Sequence, residues 1–388
     1  MQDLIRKRVV IAGFGPHAIR TATTLLHRGL CSLDDMVIVD PSSEPVARLQ
    51  DYFRDCGTSF LRSGPFEHVH PEDEDLRTFC KGRTNAFARG ERPCVNAWLD
   101  HAQSVAKRFA LKEVHTRGWV TWFDRTEHGP VVKTTAGTFQ AEKLVLATGQ
   151  ATPYYPEWSA RLRGHNPLVC SIFDNDFEGA DLPAGEDAIV LGSGITAGQL
   201  VDVLENKGQR KITLLTRRPL SKGEGKTSSM HWREADLRKK LCGYSELKDR
   251  DAMLRAEGDR GTMPIWEMER IEQLQSQGRV EHLLGEVAHV VPGKNSVEVI
   301  LDTGRVLKTS LLALATGFVS ELQDWMVRAA RKAELPFYPD GLPRLDSNFH
   351  WGGGIFLTGR QAVRVGGPFA HNIVGGMIFA DEFCNSWK

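Results

Sequence analysis

The chain has 388 residues, enough for two domains of ordinary size, each with its own core. Its 49 basic and 49 acidic residues cancel to a formal net charge of zero, leaving no basic excess to neutralise the phosphates of a nucleic acid or a membrane surface. No apolar run approaches the ~20 residues that span a bilayer. The seven cysteines are scattered and none forms Cys-x-x-Cys, which suits a reducing, cytoplasmic compartment and excludes a paired dithiol motif. Residues 1–8 are polar and lead straight into a strand, so no leader peptide is expected.

The first strand, Val9-Val10-Ile11-Ala12, ends in Gly13-Phe14-Gly15-Pro16-His17-Ala18 and a helix is expected over residues 19–26. Strand, tight Gly turn and helix in this order form the dinucleotide-binding fingerprint. Gly13 permits the turn, Gly15 lets the backbone approach a pyrophosphate, and the helix N-terminus offers free N–H groups to it. A second strand, Met36 to Val39, ends in Asp40, whose carboxylate can accept hydrogen bonds from a ribose. Asp40 follows Gly13 by 27 residues rather than the usual ~20, which a long loop over residues 29–35 accommodates.

A helix is expected over residues 43–56, then Phe60-Leu61-Arg62-Ser63-Gly64-Pro65 and Phe66-Glu67-His68-Val69-His70-Pro71. Alternation puts His68 and His70 on one strand face, but no cysteine or carboxylate stands at ligand spacing, so they read as polar positions near the cofactor rather than metal ligands. Residues 72–89 read as polar and loop-rich. Trp98, Ala102, Val105 and Phe109 form the apolar stripe of a helix over residues 95–109. Short strands follow over residues 119–123, 131–135 and 138–140, and then Leu144-Val145-Leu146 leads into Ala147-Thr148-Gly149. Small residues at that strand end let a nucleotide lie close to the backbone.

The second half repeats this plan. Ala188 to Leu191 leads into Gly192-Ser193-Gly194-Ile195-Thr196-Ala197, a helix over residues 198–206, a strand over residues 211–215, a hairpin turning at residues 292–295, and a final Ala315-Thr316-Gly317-Phe318. Duplication of both the Gly turn and the Ala-Thr-Gly end marks an internal repeat with two nucleotide sites. The second site ends its second strand in Thr216-Arg217-Arg218. Arginines there accommodate a 2′-phosphate, so the first site fits FAD and the second NADPH. Residues 221–261 form a charged insertion that serves either as a cover over NADPH or as decoration. Thr262 is expected to cap a helix reaching residue 277, with Pro264 in its first turn. In the tail, a strand ends at Gly359, and Gly367, Pro368 and Asn372 lie in a Gly-rich turn before an apolar helix over residues 373–383. Backbone N–H groups at that turn suit the pyrimidine edge of a flavin.

Gly13-Phe14-Gly15-Pro16, Gly192-Ser193-Gly194-Ile195-Thr196-Ala197 and Ala315-Thr316-Gly317-Phe318 resemble the two-dinucleotide-binding-domain flavoproteins. The Gly-x-Gly-Pro start, the Ala-Thr-Gly-aromatic element and the segment over residues 60–79 look most like class B flavin monooxygenases of the lysine/ornithine N-hydroxylase branch. That resemblance implies an α/β fold of two Rossmann-like domains, with an NADPH domain (residues 167–318) inserted into a discontinuous FAD domain (residues 1–166 and 319–388). It implies an FAD-dependent, NADPH-using enzyme that hydroxylates a small-molecule nitrogen or sulfur with molecular oxygen, through a flavin hydroperoxide. Neither nucleic acid nor membrane is expected as a partner. Class B enzymes usually carry His before Ser in the linker ahead of the second Gly motif, where this chain has Cys170 and Ser171. Two other readings stay open: an NADPH-dependent flavoprotein reductase without oxygen insertion, and a nucleotide-binding redox sensor that does not turn over.

Overall fold

The computed structural model describes residues 4–387 apart from 89–90, 150–151, 163–165, 175–176, 178–181, 183, 222–228, 234–235 and 259–260. Two sheets carry the repeat. In the first, His350–Gly352, Ile355–Leu357, Gly137–Leu146, Ile5–Ala12, Met36–Asp40 and His115–Arg117 lie side by side, parallel except for the first pair. In the second, Val169–Ser171, Leu311–Leu314, Asp187–Leu191, Lys211–Thr216 and Val280–Leu284 are all parallel. Each sheet has the Gly-motif strand flanked by the Ala-Thr-Gly strand and the Asp40 or Arg217 strand. These central strands read as continuous apolar runs because both faces are buried: in the second sheet Val190 and Leu214 pack with the helix residues Ala197 and Ile271, while Ile189 and Leu215 pack with Val290 and Val299 of the antiparallel strands Val287–Pro292 and Val297–Leu301. Val9, Val10 and Ile11 are fully buried, as are Leu312, Ala313 and Leu314.

The Gly turns are fixed by steric necessity. A Cβ on Gly13 would sit 2.3 Å from the Ala147 carbonyl oxygen, and one on Gly192 would sit 2.4 Å from that of Ala315. Both glycines also have positive φ, +113° and +152°. In each half the neighbouring strand end therefore passes against a backbone with no side chain. The helices that follow start earlier than expected, as Pro16–His27 and Ile195–Asn206.

Several expectations are corrected. Residues 138–140 and 144–146 belong to one ten-residue strand, Gly137–Leu146, which pairs with the antiparallel meander at one end and the parallel sheet at the other. The second repeat breaks this strand at Ser310, where Thr309 Oγ1 and Ser310 N both donate to Asp187 O. The second helix begins only at Ala47, because Val46 is left-handed (φ 55°). Residues 72–89 include a short helix, Asp75–Phe79. Pro264, not Thr262, occupies the N-cap of Ile265–Ser276. His68 and His70 lie in a buried bend, not a strand, and neither lines the cleft described below.

The insertion is docked on the first sheet's helices. Trp232 and Leu241 are fully buried in that core. Arg364 forms ion pairs with Asp251 of the helix Leu247–Glu257 and with Asp340, and Arg238 donates to Ser347 O. Residues 222–228 of the insertion lie outside the described residues. Among the described residues no helix is long and apolar enough to cross a membrane.

Six histidines sit where burial disfavours their charge: His17, His68, His70, His101, His282 and His350 all have pKa values below the ordinary one, with His68 down to about 3. They fold as neutral rings and take up protons on unfolding, so stability is full above about pH 6.5 and declines as pH falls. His68 alone costs about 1.4 kcal/mol per pH unit below 6.5. Thermal melts between pH 7.5 and 5 should show a falling midpoint, and a flat profile refutes this account. Gly192→Ala should lower the melting midpoint by several degrees, from a clash of ~2 kcal/mol or more. Gly194→Ala, which meets nothing nearer than Gly261 Cα at 4.0 Å, should leave it unchanged.

Candidate functional site

The carboxyl ends of both sheets open on one cleft of about 2810 Å³. An ordinary small-molecule pocket holds ~300–1,000 Å³, so this one is sized for more than one bound molecule. Switch points at the ends of parallel strands are where open α/β sheets bind ligands. Every residue expected at the cofactor sites lines this cleft except Gly367. A Cβ on Gly367 would fall 2.4 Å from Trp232 Cε3, so that glycine makes room for the docked insertion.

In the first half, Gly15 is the N-cap of Pro16–His27 and no side chain caps the helix. Nothing lies within 4 Å of a Cβ built on Gly15. The turn thus presents uncapped N–H groups to open space, the arrangement that receives a phosphate. Asp40 is aimed by the backbone: its Oδ2 accepts from Phe14 N at 2.9 Å and its Oδ1 from Ser42 N at 2.8 Å. Its remaining lone pairs are available to ribose hydroxyls. Leu61 is anchored by its N–H to Pro93 O at 2.9 Å, which brings Arg62 and Ser63 to the cleft wall. Ala147, Thr148 and Gly149 close the floor.

His17 acts as a strut. Its Nε2 lies 2.9 Å from Asn372 O, so that nitrogen carries the proton, and Nδ1 accepts from the Thr358 hydroxyl at 2.9 Å. Burial lowers its pKa, and the Asn372 bond only partly opposes this. Gly376 leaves the space for the ring, since a Cβ there would sit 2.6 Å from His17 Cδ2. Gly359 (φ +92°) and Pro368 continue the wall, and Asn372 is the N-cap of Ile373–Asn385, again with no side-chain cap.

The second half reproduces these features. Gly194 is the N-cap of Ile195–Asn206 without a side-chain cap, and the space before it is open. Ser193, Ile195 and Thr196 line the cleft beside it, with Thr316 and Gly317 below. Arg217 and Arg218 stand exposed at the mouth. Thr216 Oγ1 donates to Arg218 O at 2.7 Å and accepts from His282 Nε2 at 2.8 Å, which fixes the turn that carries both guanidinium groups.

Several cleft residues escape a reading by motif. Tyr52 stacks on Phe173 with centroids 5.9 Å apart and planes at 8°, and its hydroxyl lies 3.4 Å from Thr196 Oγ1. Phe173 in turn packs on Phe318 at 4.2 Å. Tyr52 precedes Thr196 by 144 residues, so no local pattern links them. Glu67 lines the cleft almost fully buried, and its Oε1 accepts from Ser229 Oγ at 2.7 Å. Burial pushes its carboxyl up, against hydrogen bonds from Ser229, Gly64, Ser63 and Val374. Glu286 stands beside Arg217. All seven cysteines are free. Cys170, on the cleft wall, and Cys56, in the core behind it, have thiols pushed up to about 12 by burial.

With the site in view, the chain can be set beside known proteins. L-lysine N6-monooxygenase MbtG of Mycobacterium sp. strain MCS is 29% identical over 224 residues, which are 55% of this chain and 47% of that one. The matched region thus spans about half the length of the curated relative. The ornithine N-hydroxylase of Kutzneria sp. 744, solved with reduced FAD, NADP+ and L-ornithine, superposes with a TM-score of 0.82 over 98% of this chain and 99% of its own, at 15% identity. The ornithine hydroxylase PvdA of Pseudomonas aeruginosa superposes with a TM-score of 0.79 over 99% of both chains, also at 15% identity. At such identities these structures share the fold. The sequence profile described as pyridine nucleotide-disulphide oxidoreductase matches residues 10–244, more than half of the molecule. The chain belongs to the pyridine nucleotide-disulphide oxidoreductase family.

Proposed function

We propose that this chain is an FAD-dependent, NADPH-using monooxygenase that hydroxylates a nucleophilic nitrogen, or a sulfur, of a small molecule. The single observation that carries the reading is the pair of uncapped helix N-termini, at Gly15 and Gly194, opening on one shared cleft. Similarity to lysine and ornithine hydroxylases supports the oxygenase chemistry and makes a lysine- or ornithine-like primary amine the first substrate to try. Residues 1–166 and 319–388 would hold FAD and residues 167–318 NADPH, with the insertion docked on the FAD side. Bound there, the flavin supplies hydride acceptance and oxygen activation.

The chain's own residues bind, orient and exclude. Gly15 and Gly194 admit the two pyrophosphates against helix N–H groups. Asp40 accepts from the adenosine ribose, and Arg217 and Arg218 meet the 2′-phosphate. Tyr52, Phe173 and Phe318 form an aromatic wall between the halves, which keeps water from the reacting region. The thiols of Cys56 and Cys170 stay protonated at neutral pH, so neither provides the thiolate that disulfide exchange needs. This favours the oxygenase over a dithiol reductase despite the family's description. The free cysteines support a cytoplasmic enzyme, and the proposed partners are molecular oxygen and the amine.

The deciding experiment supplies FAD, NADPH and oxygen with L-lysine, L-ornithine, cadaverine and a thioether, and follows NADPH loss alongside hydroxylated product by mass spectrometry. Product formation coupled to NADPH loss supports the reading. Fast reduction of an artificial acceptor with no hydroxylated product from any compound replaces it with a reductase. Arg217→Ala should weaken NADPH binding about five- to tenfold, with NADH changed less than twofold. Equal losses for both nucleotides would remove the 2′-phosphate assignment.

A further inference from the structure

The end of strand Lys211–Thr216 carries two arginines and no acid in sequence, yet the fold supplies a carboxylate from the link that follows the next strand, Val280–Leu284. Glu286 lines the same cleft, and its Oε1 lies 3.8 Å from Arg217 Nη1. Its position is set by backbone. Gly285 N donates to Thr216 O at 3.0 Å, Asp302 N donates to Glu286 O at 2.9 Å, and Glu286 N donates to Asp302 Oδ1 at 3.4 Å. A side chain at Gly285 would fall 2.8 Å from Leu301 Cδ1, so the chain leaves Val280–Leu284 by a tight route that delivers residue 286 beside Arg217. On the other side, the His282–Thr216–Arg218 hydrogen bonds fix the arginine turn.

A 2′-phosphate entering here competes with Glu286 for Arg217 and must lie close to its negative charge. A free ribose 2′-hydroxyl meets the opposite situation, because it can donate to the carboxylate, as in sites that take the unphosphorylated nucleotide. We propose that Glu286 is a specificity-determining residue of this nucleotide site, offsetting part of what the arginines contribute, so that the site holds adenine nucleotides with and without a 2′-phosphate at comparable strength. The inference rests on the reading of the second Gly motif as a nucleotide site. It names the residue that would set the preference there.

Isothermal titration of the FAD-loaded full chain with 2′,5′-ADP and with ADP separates the two ideas, using the wild type and Glu286→Gln. Gln keeps size and shape at an exposed position, so folding is not at issue. The variant should bind 2′,5′-ADP about fivefold tighter, with ADP unchanged or weaker, and the gain should shrink at high ionic strength. If both ligands bind but their ratio is the same in the two proteins, the inference is overturned while the nucleotide site stands. If neither ligand binds either protein, the nucleotide reading fails and takes the inference with it.

Discussion

The structure depends on one contact made twice: a backbone carbonyl pressed against a glycine that can have no side chain. Ala147 meets Gly13 in the first half and Ala315 meets Gly192 in the second. The contact lets the central strands end at the same depth, so each Gly turn, each Ala-Thr-Gly end and each helix N-terminus reach one cleft. The close approach also explains why Gly15 and Gly194 differ in kind from their neighbours. Nothing of the protein's own crowds them, and the space they leave is bounded by helix N–H groups with no side-chain cap.

Several connections tie the two halves. Thr152–Pro153 pairs antiparallel with Phe318–Val319, so the two linkers cross as a short ribbon. Tyr52 stacks on Phe173, which in turn packs at a tilt against Phe318 on the cleft wall. The docked insertion adds the third tie, through Trp232 in the core and Arg364 between two carboxylates. Breaking one partner of such a largely buried pair leaves an uncompensated charge, so this tie is costly to undo. It makes Trp232 and Leu241 of the insertion part of the first unit's core.

Several buried polar groups of the first unit are satisfied by near neighbours. His17 spans Thr358 and Asn372, and His68 donates to Asp73 O. His101 meets Asp75, whose carboxyl is held well below the ordinary range by Arg108 and His101 against the opposing effect of burial. His70 joins the same network, its N–H donating to His68 Nδ1 at 3.2 Å and its Nδ1 accepting from Glu72 N at 3.1 Å. Among the described residues no cluster of three or more potential ligands could hold a metal ion.

What the sequence determined by itself was local and repeated. Val9-Val10-Ile11-Ala12 followed by Gly13-Phe14-Gly15, and its second copy, specify strand, turn and helix through sterics that operate within a few residues. The same locality made Asp40, Arg217, Thr148 and Thr316 legible, because each stands at a strand end whose direction the motif fixes. The tertiary structure decided everything that depends on separate segments meeting. Tyr52 against Thr196, Glu67 against Ser229, Trp232 behind Gly367 and Glu286 beside Arg217 join residues whose spacing carries no periodic signal. It also decided that residues 137–146 form one strand, since two different partners supply its two ends. Short-range sterics are written in neighbouring residues, whereas the charge and shape of a cleft are sums over segments that only folding brings together.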